Sequence, residues 1–151
     1  MAKSPKGGAG ARTRARELMV QALYQKQIAG HSTSELLAQF HEDTSYARVD
    51  QEFFDELFPA ISKRQADIEK TIDGLIDRPL GQLDPIELSI LLIGVHELEM
   101  RADIPYKVVI NEGVNLAKRF GSIEGHKYIN ACLDVAAQSL RKIEVQAKSG
   151  G

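Results

Sequence analysis

The sequence predicts an all-α fold, a helical bundle of about seven helices, on three observations. Apolar residues recur at the three- and four-residue spacing of a helix along almost the whole chain. No stretch alternates apolar and polar residues over enough positions to make a strand. The segment Leu83-Asp84-Pro85-Ile86-Glu87 holds a full helix-start signal, with an acidic N-cap, a proline at the first helical position and a glutamate able to reach back to the cap. At 151 residues and 43% hydrophobic, the chain can bury the core of one globular domain and has no length for a second.

Residues 1–10 are rich in Gly, Lys, Ala and Pro and have almost nothing apolar to bury, so a disordered basic arm is expected there. In the first helix Ala15, Leu18, Met19, Ala22 and Leu23 form a broad apolar side, Arg14, Glu17, Gln21 and Gln25 take the solvent face, and Gly30 ends the run. Ser32 and Glu35 have the capping-box spacing ahead of a short stripe of Leu36, Leu37 and Phe40. From Asp50 the pattern Phe53, Phe54, Leu57, Phe58, Ile61 continues through Ile68, Ile72, Leu75 and Ile76. Pro59 has no N–H to donate and predicts a kink or division inside it. After Asp84 the segment IELSILLIGVHEL is apolar on most sides and belongs at the centre of a bundle. Pro105 opens a helix with Val109, Gly113, Leu116 and Phe120 on one face, Asn111, Glu112, Asn115, Lys118 and Arg119 on the other, and Gly121 as its stop. The last helix starts near Glu124 and turns Ile129, Cys132, Leu133, Ala136 and Leu140 inward. The folded domain is expected over 11–145, with a disordered tail at 146–151.

The formal net charge of -2 hides two different surfaces. Residues 1–16 carry Lys3, Lys6, Arg12, Arg14 and Arg16 and no acid, whereas 31–77 hold eleven acids against four bases. A helix start favours acids, because its unsatisfied amides leave partial positive charge there. Three arginines at such a start ask for a reason other than helix stability. Arg12 and Arg16 share the helical line of Met19 and Leu23, so they are expected to project from the end of the bundle, where a ligand lying across it would be gripped. With Cys132 the only cysteine, no intramolecular disulfide forms; no apolar run is long enough for a membrane span, and MAKSPKGGAG lacks the apolar segment of a secretory signal. A soluble, cytoplasmic protein is expected.

Enzyme motifs mostly fail. His96-Glu97 begins like a helical zinc-protease motif, but Met100 stands where the second histidine is needed, and His31, His41 and His126 have no ligand spacing. There is no phosphate-cradling Gly-rich loop and no Gly-x-Ser-x-Gly elbow, the carboxylates of 42–77 sit at solvent-face spacing, and Cys132 falls in an apolar stripe. No catalytic residue, metal or cofactor is expected. Nucleic-acid chemistry fits better. Lys118, Arg119 and Phe120 end one helix and Lys127 and Tyr128 open the next across a short turn at 121–125, placing cations that neutralise phosphates beside rings that stack on unpaired bases. Core packing is the competing reading for Phe120 and Tyr128, both near apolar positions.

These residues resemble the bacterial NusB family of transcription antitermination factors. The resemblance is carried by RARELMVQALYQKQ, by the Leu-Asp-Pro-Ile-Glu helix with its HEL ending, and above all by DIPYKVVINEGVNLAKRFGSIEGHKYINACLD, residues 103–134; it covers about 12–141, with 30–80 agreeing in helical pattern alone. It implies two packed helical subdomains, no catalysis, and a pair formed with a small-subunit ribosomal protein, NusE, that binds the boxA element of nascent RNA. It further implies an antitermination complex of RNA polymerase and other Nus factors that supports ribosomal RNA synthesis. Arg12, Arg14, Arg16, Lys127 and Tyr128 match RNA-contacting neighbourhoods of the family; Tyr24, Glu87, Phe120 and Glu124 match the region where partner and RNA meet, and an acidic site such as Glu87 suits a basic ribosomal partner. The chain departs from the family at Thr13, which interrupts an arginine run, at Leu91-Leu92 in place of Leu-Arg, and at His96-Glu97-Leu98 in place of Tyr-Glu-Leu. Two alternatives stand beside this reading: an RNA-binding accessory module of an RNA methyltransferase, against which the chain shows no cofactor-binding domain, and a purely structural helical module.

Overall fold

The computed structural model describes residues 10–77, 79–121 and 123–150. The expected basic arm therefore lies outside the described residues, except for Gly10. Eight α-helices and two short 3-10 helices make up the described residues, with no strand among them. They divide into two compact units, Met1–Arg64 and Gln65–Gly151.

The first unit holds α1 (Ala11–Ala29), α2 (Thr33–His41), a 3-10 helix (Thr44–Arg48) and α3 (Gln51–Lys63). Gly10 and Gly30 flank α1 at φ 84° and 72°, the left-handed region open to glycine. The apolar side expected of α1 is buried in full. At the start of α2 the capping box forms as its spacing predicts: the Glu35 N–H donates to Ser32 Oγ (3.1 Å) and the Ser32 N–H to Glu35 Oε1 (2.9 Å). The backbone bond from Ser32 holds the Glu35 carboxyl below the usual carboxylate range. Asp50 caps α3 by accepting from the Phe53 N–H (3.1 Å).

Helix α3 then runs through Pro59 and breaks only at Arg64. The proline withholds a hydrogen bond from the Asp55 carbonyl, but Phe58 and Ile61 are buried on either side of it, and that packing carries the helix past the missing bond. Phe54 stacks on Phe58 (5.7 Å between centroids) and meets Phe40 (6.3 Å). Beside them Asp55 accepts from Tyr46 Oη (2.7 Å) and pairs with His41 Nε2 (2.8 Å), tying α2, the 3-10 helix and α3 together. Burial, and next the bond to Asp55, push the Tyr46 phenol above its ordinary pKa.

The second unit holds α4 (Gln65–Asp73), a 3-10 turn (Leu80–Gln82), α5 (Pro85–Met100), α6 (Tyr106–Phe120), α7 (Ile123–Leu140) and α8 (Lys142–Gly150). Helix α5 begins as predicted, with Pro85 in first position and the Glu87 N–H on Asp84 Oδ1 at 2.8 Å. Every residue from Ser89 to Leu98 is buried, and α4, α6 and α7 all pack on α5. Leu133 of α7 fills the space that glycines leave on its neighbours: a Cβ at Gly94 would lie 2.7 Å, and one at Gly113 2.5 Å, from its methyl groups. Small residues at both positions let three helices close on one leucine. Among the described residues no helix is long and apolar enough to cross a membrane.

The chain differs from the sequence reading after Leu140. The helix breaks at Arg141 and restarts as α8, which runs across the domain end expected at 145. Arg141 turns inward and is 8% exposed. Its Nε donates to the Leu98 carbonyl (2.7 Å), Nη1 to Ile104 (3.0 Å), and Nη2 to Glu97 (3.1 Å) and Arg101 (2.8 Å). Nη1 also meets Glu144 Oε1 at 2.6 Å, and Glu144 Oε2 accepts from the Tyr106 N–H (3.0 Å). One side chain thus reaches four carbonyls around the end of α5, of which Glu97 and Arg101 also accept backbone N–H groups, and its partner satisfies an open amide at the start of α6.

Replacing Gly113 by Ala is expected to lower stability by about 1–2 kcal/mol, because overpacking outweighs the gain in helix propensity. The Leu133 methyl groups lie against both glycines, so the leucine must shift to admit a Cβ at either. Urea unfolding checks this; equal or greater stability would contradict it.

Candidate nucleic-acid interface

The residues singled out by sequence fall in both units, Arg12, Arg14, Arg16 and Tyr24 in the first and the rest in the second. In the first unit the start of α1 is held by the chain entering α3. The Asp50 N–H donates to the Ala11 carbonyl (3.0 Å), and the Asp50 carboxylate, besides capping α3, pairs with Arg12 Nε at 3.4 Å. The ring of Phe53, one helical turn beyond Asp50, then lies against two guanidinium groups, Arg12 at 4.6 Å and Arg16 at 4.9 Å from its centroid. Both distances suit a cation–π contact.

The three arginines consequently have different surroundings. Arg16 is 3% exposed, a continuation of the core line rather than a projection from its end. The Arg12 side chain keeps 44% of its surface in solvent. Arg14 is exposed, and its Nε donates to the Arg48 carbonyl (2.8 Å). Arg14 also lies over Gly10, where a Cβ would come within 3.0 Å of its Nη1. With no acid in the first turn of α1, Arg12 and Arg14 present positive charge beside open helix amides. Farther along α1, Tyr24 is 38% exposed and Ile28 more so.

In the second unit Lys118 and Arg119 are exposed at the end of α6, and the Arg119 guanidinium lies 5.7 Å from the centroid of the half-buried Phe120. The turn to α7 is shorter than the expected 121–125, since α7 already begins at Ile123. In its first turns the exposed Lys127 and Glu124 face each other at 3.9 Å. Both remain open to partners, since such a surface pair contributes little stability. Tyr128 is half-buried and lines a cavity of about 370 Å³ with Leu75, Ile76, Asp77, Ala131, Cys132 and Val135. Glu87 is half-buried at the third position of α5, where its carboxylate reaches the Asp84 N–H only at 3.4 Å.

Sequence reasoning missed the residues that set this geometry, Asp50 as the tie to α1 and Phe53 as the floor beneath Arg12 and Arg16. Their only sequence signal was a helix cap followed by aromatic residues.

A family model described as "NusB family" matches residues 13–138. A Pseudomonas syringae pv. tomato protein named "Transcription antitermination protein NusB" is 45% identical over 149 residues, covering 97% of this chain and 90% of that protein. A Nitrosospira multiformis protein of the same name is 44% identical over 133 residues, covering 88% and 84%. Among solved structures, "T. maritima NusB, P3121, Form 2" superposes with a TM-score of 0.72 at 23% identity over 84% of this chain and 90% of that one, a likeness of fold.

The contrast between Arg16 and Arg14 is directly measurable. Arg16→Ala removes a buried cation from Phe53 and is expected to cost about 2 kcal/mol in urea unfolding. Arg14→Ala is expected to stay within about 0.5 kcal/mol. Equal effects from the two would refute the assignment.

Proposed function

Since the chain belongs to the NusB family, whose matched relatives carry the name of transcription antitermination proteins, we propose that it binds the boxA element of nascent RNA as an antitermination factor, without catalysis. It does so in the cytoplasm together with the ribosomal protein NusE, within an RNA polymerase complex containing other Nus factors, and so supports ribosomal RNA transcription. The observation that carries the RNA part is the start of α1, where Arg12 and Arg14 are held in solvent beside an acid-free helix end. Cations so placed neutralise phosphates of a single strand regardless of sequence. Lys118, Arg119 and Lys127 add charge in the second unit, and Phe120 and Tyr128 add rings for unpaired bases. Arg16 contributes by fixing Phe53 and through it the position of Arg12.

Partner contacts are assigned to Tyr24 in the first unit and to Glu87, Phe120 and Glu124 in the second. Tyr24 offers an exposed ring, and the carboxylates of Glu87 and Glu124 complement a basic ribosomal protein. The exposed Tyr24 and Ile28 on α1 favour this reading over a purely structural module, because they leave apolar surface open to a partner.

Fluorescence anisotropy with a labelled single-stranded boxA RNA, with and without NusE, tests the proposal. The protein alone is expected to bind modestly and with strong salt dependence, and the partner to tighten binding. The Arg12→Gln/Arg14→Gln double variant, which takes from Asp50 its Arg12 partner and is therefore checked first for its helical circular dichroism, is expected to flatten the log–log salt slope by about 1.4. An unchanged slope and affinity at low salt would refute the RNA assignment.

A further inference from the structure

The backbone that meets Arg14 belongs to another cation, Arg48, 34 residues away in sequence. Arg48 is one of four bases in the acidic stretch 31–77 and gives no sign in the sequence of belonging to the arginine cluster. The fold puts it there. Residues 48–50 run back along the first turn of α1 through three contacts: the Arg48 carbonyl with Arg14 Nε (2.8 Å), the Asp50 N–H with the Ala11 carbonyl (3.0 Å), and the Asp50 carboxylate with Arg12 Nε (3.4 Å). Arg48 closes the 3-10 helix Thr44–Arg48, is exposed, and has no acid in that helix. The carboxylate nearest to it in sequence, Asp50, is 3% exposed and already engaged by Arg12 and the Phe53 N–H.

We infer that Arg48 is a further phosphate-contacting residue, and that the RNA track of this unit runs from the start of α1 onto the 3-10 helix. This rests on the RNA-binding reading above. Arg16 stands in the sequence cluster but is buried, whereas Arg48 stands outside the cluster and is exposed beside it. The solvent-facing cations here are Arg12, Arg14 and Arg48. Each can release condensed counterions from RNA; a buried guanidinium cannot.

The contact that positions Arg14 uses the backbone carbonyl of Arg48, so changing the Arg48 side chain leaves it intact. Arg48→Gln is therefore a clean probe of charge. With a short fluorescein-labelled single-stranded RNA carrying boxA, the full-length Arg48→Gln protein is expected to bind several-fold more weakly at low salt. Its log–log salt slope is expected to fall by about 0.7, the share of one phosphate contact on a single strand. Arg48→Lys should restore the slope, and the urea midpoint should not move in either variant. Wild-type affinity and slope for Arg48→Gln, alongside a weakened Arg12→Gln/Arg14→Gln protein, would overturn the inference and leave the RNA reading standing. If neither protein differs from wild type, the RNA reading fails and the inference falls with it.

Discussion

A charged side chain taken out of water loses hydration worth several kcal/mol and persists only where its hydrogen bonds are replaced. Asp50 meets that condition at the junction on which the first unit depends. Its side chain is 5% exposed, yet it caps α3, pairs with Arg12, and sits on a residue whose own N–H is bonded to Ala11. The burial of Phe53 under two guanidiniums, the exposure of Arg12 and the closeness of Arg48 to Arg14 all follow from that tie. Removing the carboxylate would release a helix cap and an arginine at once.

Arg141 satisfies the same constraint in the second unit with the opposite sign. It reaches four backbone carbonyls from the end of α5 and the turn after it, and Glu144 reaches the first amide of α6. The turn between α5 and α6 is therefore set by the junction of α7 and α8, about forty residues farther along the chain. Since α6 carries Lys118, Arg119 and Phe120 at its far end, the direction of that candidate surface is anchored by a saturated buried charge too. In both units a costly ion is used where a chain reversal has to be specific, not merely stable.

Local rules were legible where they act locally. The capping boxes at Ser32 and Asp84, the glycine end of α1 and the buried face of α5 all appear at the positions their spacing predicts. Arg16 was not legible, because helical periodicity places it on the core line but cannot say how far the core extends. That depends on Phe53 arriving from another helix. Arg48 and Arg141 were invisible for the same reason: their surroundings are made by contacts more than thirty residues away in sequence. At Pro59 the expected division does not occur, since α3 runs on to Lys63.

The account rests on RNA meeting the start of α1 and the chain that crosses it. An amide NMR titration of the full-length protein with single-stranded boxA RNA reads this residue by residue. Shifts concentrated at 11–16 and 44–50, together with 118–128 in the second unit, are the result the account predicts. Shifts confined to α2, α4 or α8, with 11–16 unmoved, would contradict it.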